Sequence, residues 1–192
     1  MTEDVISPLV DIADPVQRRA MFMAIFSREM QRRTGRMPII VGGEALEIYT
    51  QGGYSTGDMD IKAPKEEAER LLGEMGFVRK GRLFVNAGLG LYVDWLGESL
   101  EEGPEAEART NLVDIGEGLS VRVVSFEDLL IDRLLAAASW GDTDSRLWAE
   151  SLYMVARRSG VALDLEYLRK RAIAEGIEKE FQGLLTSREE RS

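Results

Sequence analysis

A chain of 192 residues with 44% hydrophobic and 30% charged residues can bury a sizeable core, as one domain or as a domain with a helical appendage. It contains no Cys and no His, which excludes disulfides, zinc sites built on those ligands, thiol nucleophiles and any Ser-His-Asp mechanism. With 34 acidic against 24 basic residues the net charge is −10, so long-range attraction to nucleic acid is not expected of the chain as a whole. No apolar run approaches the length of a membrane span, and Met1-Thr2-Glu3-Asp4 is acidic, unlike a signal peptide, so a cytoplasmic protein is expected.

Residues 1–13 read as a poorly defined lead-in. Asp14-Pro15 then opens a helix, with Asp as N-cap and Pro at the first position, predicted to run to Arg33 before Thr34-Gly35. Met21, Phe22, Ile25, Phe26 and Met30 fall at helical spacing and form one apolar stripe, expected in the core. The stretch from Pro38 to Ile61 follows, and the rest of the chain is organised around it. Ile39-Ile40-Val41 is short and β-branched, a buried strand stopped by Gly42-Gly43, after which a helix carries Ala45, Leu46 and Tyr49 toward the core. Tyr49 is expected as a packed ring, with stacking on a base as the alternative.

Past the Gly52-Gly53 turn, Asp58-Met59-Asp60-Ile61 alternates acidic and apolar residues. On a strand this sends both carboxylates to one face, with Cα atoms about 6.5–7 Å apart, close enough for their oxygens to converge on a hard cation. A Gly-Gly turn that ends a strand and starts a helix lets a phosphate approach free backbone N–H groups without a Cβ in the way. Phosphate on one side and metal on the other suggest a bound nucleotide. Metal-assisted phosphoryl or nucleotidyl transfer also needs a base and further oxygen ligands, and Leu89 to Leu96 supplies a third carboxylate, Asp94, inside an otherwise apolar strand.

Between these, Pro64 to Leu72 predicts an exposed helix ending near Gly76, with strands around Phe77-Val78 and Leu83-Phe84-Val85. Gly88 and Gly90 form no dinucleotide fingerprint, since a strand follows them, and Asp58-x-Asp60 is no EF-hand loop. Arg32, Arg33 and Arg36, and Arg79, Lys80 and Arg82, are either local basic patches or solvated surface. Residues 98–110, rich in Glu with Gly103-Pro104, are expected as a mobile surface loop, and Leu119 to Val124 as a last strand. From Ser125 the chain turns helical. Ser125-Phe126-Glu127-Asp128 fits a capping pattern ahead of the stripe Phe126, Leu129, Leu130 and Leu134. The residues from Trp140 to Asp144 break that helix, a second runs to Arg158, and a third starts near Asp164.

Gly42, Gly43, Thr56, Asp58, Asp60 and Asp94, taken together and in this order, resemble the signature of the DNA polymerase beta superfamily of nucleotidyltransferases: strand, Gly-Gly turn, helix, acid-x-acid strand and third acid. The resemblance covers roughly the first two thirds of the chain and is strongest to small bacterial and archaeal members, a minimal catalytic domain followed by helices, some of them encoded in toxin and antitoxin pairs. It implies an α/β (α+β) fold, a mixed sheet flanked by helices. Residues 1–124 would form the catalytic domain, and 125–192 a helical region packed on it and lining one wall of the cleft.

The implied activity transfers a nucleoside monophosphate from an NTP to a hydroxyl on a small molecule, a protein or tRNA, with release of pyrophosphate. In that scheme Asp58 and Asp60 hold two Mg²⁺ (or Mn²⁺) ions, Asp94 shares one and accepts the hydroxyl proton, and Gly42, Gly43 and Thr56 bind phosphate. Arg133 stands where such proteins often carry Lys, so it either reaches the phosphates or forms a salt bridge. Glu44, at a position that varies among resembling proteins, is expected to point outward. The alternative is a non-catalytic binder of a nucleotide or of a toxin or antitoxin partner.

Overall fold

The computed structural model describes residues 6–141 and 143–186; the acidic N-terminal residues and Asp142 lie outside it. The chain divides into two compact units, Met1–Val124 and Ser125–Ser192. The first is a mixed α/β unit with one seven-stranded sheet, and the second is helical. Among the described residues no helix is long and apolar enough to cross a membrane.

The described part of the lead-in holds a 3₁₀ turn, Ser7–Asp11, that buries Leu9 completely, so residues 7–11 are better defined than their sequence suggests. Helix α1 (Pro15–Thr34) starts as expected: the Asp14 carboxylate accepts the Val16 N–H at 2.8 Å, and Gly35, at φ +74°, closes the other end. Its apolar surface is wider than one stripe. Every residue from Phe22 to Ser27 is buried, while Met21 is only half-buried. The helix packs against the strands Asn111–Gly116 and Leu119–Val123 and the helix Lys65–Glu74, and the Phe22 ring lies between Phe26 and Phe77 at centroid distances of 5.9 and 5.0 Å.

The remaining elements are β1 (Ile39–Ile40), α2 (Gly42–Tyr49), β2 (Met59–Lys62), α3 (Lys65–Glu74), β3 (Val78–Lys80), β4 (Leu83–Asn86), β5 (Leu91–Trp95), α4 (Pro104–Ala108), β6 (Asn111–Gly116) and β7 (Leu119–Val123). The strand order is β3-β4-β5-β2-β1-β7-β6. β2 pairs parallel with β5 and β1 parallel with β7, and the other pairings are antiparallel. Met59, Ile61, Val93, Val121 and Val123 are fully buried, the first two being the hydrophobic half of the Asp58–Ile61 alternation read from the sequence.

Two expectations give way here. Residues 98–110 are anchored: they contain α4 with Ala106 fully buried, Leu100 is buried, and the Lys62 ammonium donates to Leu96 O and Glu101 Oε1, both at 2.8 Å. β6 was not expected; its residues alternate half-buried and exposed with few strong apolar ones, as an edge strand can. The helix α2 packs on β2.

In the second unit, α5 (Phe126–Trp140) packs with α6 (Thr143–Arg158), α7 (Leu165–Ala174) and α8 (Glu178–Thr186), the last of which has no counterpart in the sequence reading. The Ser125 cap forms, and Asp128 becomes the centre of a buried network. It accepts from Ser125 Oγ at 2.7 Å, Tyr167 OH at 2.8 Å and Arg171 at 2.6 Å. Removing the carboxylate takes the shared acceptor from Ser125, Tyr167 and the mostly buried Arg171, which keeps its pair with Glu175, so Asp128→Ala is expected to destabilise the helical unit by about 2–4 kcal/mol. Chemical unfolding followed by circular dichroism checks this, and a loss under about 1 kcal/mol would show that the network adds little.

Candidate active site

Strand pairing builds the site. β1 and β2 run antiparallel with Ile40 opposite Ile61, and the Val41 N–H donates to Asp60 O at 3.0 Å, so the chain leaving β1 passes alongside Asp60. There Gly42 and Gly43 open α2, whose N-cap Val41 offers no side-chain acceptor to the first turn. β2 and β5 run parallel with Asp60 and Asp94 as register partners, placing their side chains next to each other on one face. Asp58, two residues before Asp60, joins them. One oxygen from each of Asp58, Asp60 and Asp94 lies within 4.8 Å of the others.

Each carboxylate has a protein contact. Asp60 Oδ2 accepts the Gly43 N–H at 3.3 Å, Asp58 Oδ1 accepts the Thr56 hydroxyl at 3.3 Å, and the Arg82 Nε lies 3.1 Å from Asp94 Oδ2. Asp94 is buried, while Asp58 and Asp60 are half-buried. Burial first, then the Asp58 charge and the Asp94 charge, push the Asp60 carboxyl up to about 6, against the Gly43 N–H and Arg82, which act the other way. The cluster therefore carries negative charge that its neighbours only partly offset. Its donors are all hard oxygens, a set suited to Mg²⁺ or Mn²⁺.

The two glycines are needed for a reason the sequence reading did not contain. A Cβ on Gly42, at φ +59°, would lie 2.2 Å from Asp60 Oδ2, and one on Gly43 would lie 2.9 Å from Thr56 Oγ1. The bare turn admits the carboxylate and the hydroxyl.

Glu44 does not point outward. It is buried, 3.3 Å from Arg19 Nε, while Arg19 also reaches both oxygens of the buried Glu47 at 2.8 and 2.6 Å. Burial is the main cause that pushes the Glu44 carboxyl up to about 7, with Glu47 adding to it and Arg19 opposing. Neither Arg19 nor Glu47 was picked out from the sequence. The spacing held a signal: Arg19 lies three residues before Phe22 on the buried side of α1, and Glu44 and Glu47, at i and i+3, share one face of α2. Arg82 was grouped with a basic stretch, but the pairing of Leu83 with Asp94 brings it beside the third acid.

Tyr49 is a buried ring whose hydroxyl donates to Val124 O at 2.6 Å and accepts from Asn111 at 2.8 Å, so it presents no free face for a base. Arg133 belongs to the helical unit and lies 2.6 Å from Asp132.

No known protein family and no curated protein matches this sequence. Among solved structures, the chain is similar to the antibiotic-resistance factor ANT(2'')-Ia, a solution structure with substrate-regulated conformation dynamics. The two share 16% identity over 88% of this chain and 95% of that one, with a TM-score of 0.49.

Two outcomes follow from this geometry. Gly42→Ala is expected to cost roughly 2 kcal/mol or more, because a clash adds to the strain, whereas Gly52→Ala, at φ +81° with open space around it, carries only the strain of about 1 kcal/mol. Equal losses in urea unfolding would mean that Asp60 moves aside freely. For Glu44, the folded carboxyl holds its proton up to about pH 7 while the unfolded one loses it near 4.5, so the folded chain binds more protons between these values. Wild-type stability thus falls across that window relative to Glu44→Gln, by about 3 kcal/mol at most. Paired unfolding curves at either end of the window measure the difference, and no change in it would contradict the burial of an ionisable Glu44.

Proposed function

We propose that this protein is a divalent-metal-dependent nucleotidyltransferase that moves a nucleoside monophosphate from an NTP to a hydroxyl acceptor. The supporting observation is the convergence of Asp58, Asp60 and Asp94 within 4.8 Å beside the N-terminus of α2. Mg²⁺ or Mn²⁺ at this cluster would neutralise the charge of the triphosphate and of the transition state. Asp58 and Asp60 would hold two ions between them, and Asp94 would share one and take the proton from the acceptor hydroxyl. Backbone N–H groups of Gly42 and Gly43 and the Thr56 hydroxyl would meet phosphate oxygens. The acceptor oxygen bonds to the α-phosphorus as the bond to the bridging oxygen breaks, and pyrophosphate leaves.

The basic stretches lend little support to an RNA acceptor. Arg32 pairs with Glu29, Arg33 with Glu67 and Glu74, Arg79 with Glu69, and Arg82 with Asp94. Together with the net charge of −10 this favours a hydroxyl on a small molecule or on a protein over one on tRNA.

Incubation with Mg²⁺ and labelled NTPs, alone and with cell lysate or tRNA, tests the reading. Pyrophosphate release or label transfer is expected, reduced at least about a hundredfold in Asp58→Asn. Mg²⁺-dependent nucleotide binding without turnover under every condition would leave the non-catalytic nucleotide binder in its place, and no nucleotide binding would sink both the enzyme and that binder.

A further inference from the structure

Beneath the carboxylate cluster lies a buried group of charges that the proposed chemistry does not use. One guanidinium on α1, Arg19, holds two carboxylates on α2, Glu44 and Glu47, and all three side chains are at most one tenth exposed. Two connections run from this group to the cluster. Glu47 Oε2 accepts the Thr56 N–H at 3.4 Å, and the Thr56 hydroxyl donates to Asp58 O at 3.2 Å and Asp58 Oδ1 at 3.3 Å. Glu44 immediately follows Gly43, whose N–H donates to Asp60 Oδ2.

The segment that needs holding is the one between α2 and β2. It contains Gly52, Gly53 and Gly57, has no helix or strand of its own, and delivers Asp58. Near its start it is tied to α2 by backbone bonds, Gln51 N–H to Ile48 O at 3.2 Å and Gly52 N–H to Glu47 O at 3.0 Å. Near its end the tie to α2 runs through the Glu47 side chain and Thr56. The Glu47 carboxylate is in turn fixed by the two contacts from Arg19. A flexible arm with three glycines would otherwise let like charges at Asp58 and Asp60 drift apart.

We propose that Arg19 is a positioning residue for the carboxylate cluster, acting through Glu47 and Thr56 on Asp58 and through Glu44 on the turn that meets Asp60. The inference rests on the reading of Asp58, Asp60 and Asp94 as a cation site. Groups that bond a metal's ligands set their direction, and their loss commonly weakens metal binding by about 10–100-fold; Thr56 is such a group, and Arg19 fixes it from two contacts behind through Glu47. Lys at this position keeps the charge, but a single ammonium does not span two carboxylates as a guanidinium fork does.

The test is Mn²⁺ binding to the full chain, by calorimetry and by electron paramagnetic resonance, well below each variant's unfolding midpoint. Arg19→Met is expected to bind Mn²⁺ at least about tenfold more weakly than wild type, with Arg19→Lys in between. Because Arg19→Met leaves two buried acids without their cation and so threatens folding, a triple variant, Arg19→Met with Glu44→Gln and Glu47→Met, removes those charges along with the clamp. Thr56→Val, which keeps the shape and removes the hydroxyl, tests the last link. Weak Mn²⁺ binding by a stably folded triple variant and by Thr56→Val supports the positioning role. Wild-type affinity in both overturns it while leaving the cation site intact, and failure of the wild type to bind Mn²⁺ overturns the cation site and this inference together.

Discussion

Bringing three carboxylates together is the constraint that the first unit is built to satisfy. Two ionised groups at the 4.8 Å limit of this cluster repel by roughly 3 kcal/mol at the effective dielectric that suits partly buried sites. No single partner cancels this. A backbone N–H, a hydroxyl and a guanidinium each address one acid, from α2, the 50–58 segment and the β3–β4 turn respectively. Convergence is enforced instead by the strands: parallel pairing of β2 with β5 sets Asp60 beside Asp94, and hydrophobic residues on the opposite face, Met59 and Ile61, lock β2 against slipping.

Pairing also explains how a strand of only two residues can lie inside the sheet, between β2 and β7. β1 needs only enough length to register with Lys62 and Ile61 on one side and with Arg122 and Val123 on the other. Beyond Ile40 the chain must bend past Asp60, and any side chain on Gly42 would collide with that carboxylate. The glycines thus satisfy the packing of the acid cluster within the protein itself. A phosphate approaching the same turn would meet Asp60 Oδ2 and Thr56 Oγ1 already seated against the glycines, and beside three acids it would need cations between.

Much of this was legible in the sequence, because period-two alternation and a glycine pair are local signals. Asp58 and Asp60 fall on one face, Asp14-Pro15 caps α1 and Ser125 caps α5, all from neighbouring residues alone. Asp94 could be expected beside them only from general chemistry, since no local pattern encodes which strands pair. What escaped were features set by tertiary contact. β6 carries no strong alternation of large apolar residues, and residues 98–110 look like a loop although Lys62, from a distant strand, reaches Leu96 and Glu101 at their border. Glu44 reads as a surface carboxylate because the cation that draws it inward is 25 positions away in sequence.

Three cations of this acidic chain serve as internal bracing. Arg19 joins α1 to α2, Arg33 joins α1 to α3 through Glu67 and Glu74, and Lys62 joins β2 to the segment after β5. Each of these cations sits on an element that also contributes to the core, so its partner is held to a rigid support. α1 carries two of the three and is buried along six consecutive residues, which makes it the support on which both α2 and α3 are held. An excess of acids is therefore tolerated where it matters most: the cations stabilise the frame from behind, and the cluster of Asp58, Asp60 and Asp94 keeps the unmatched charge that a divalent ion would complete.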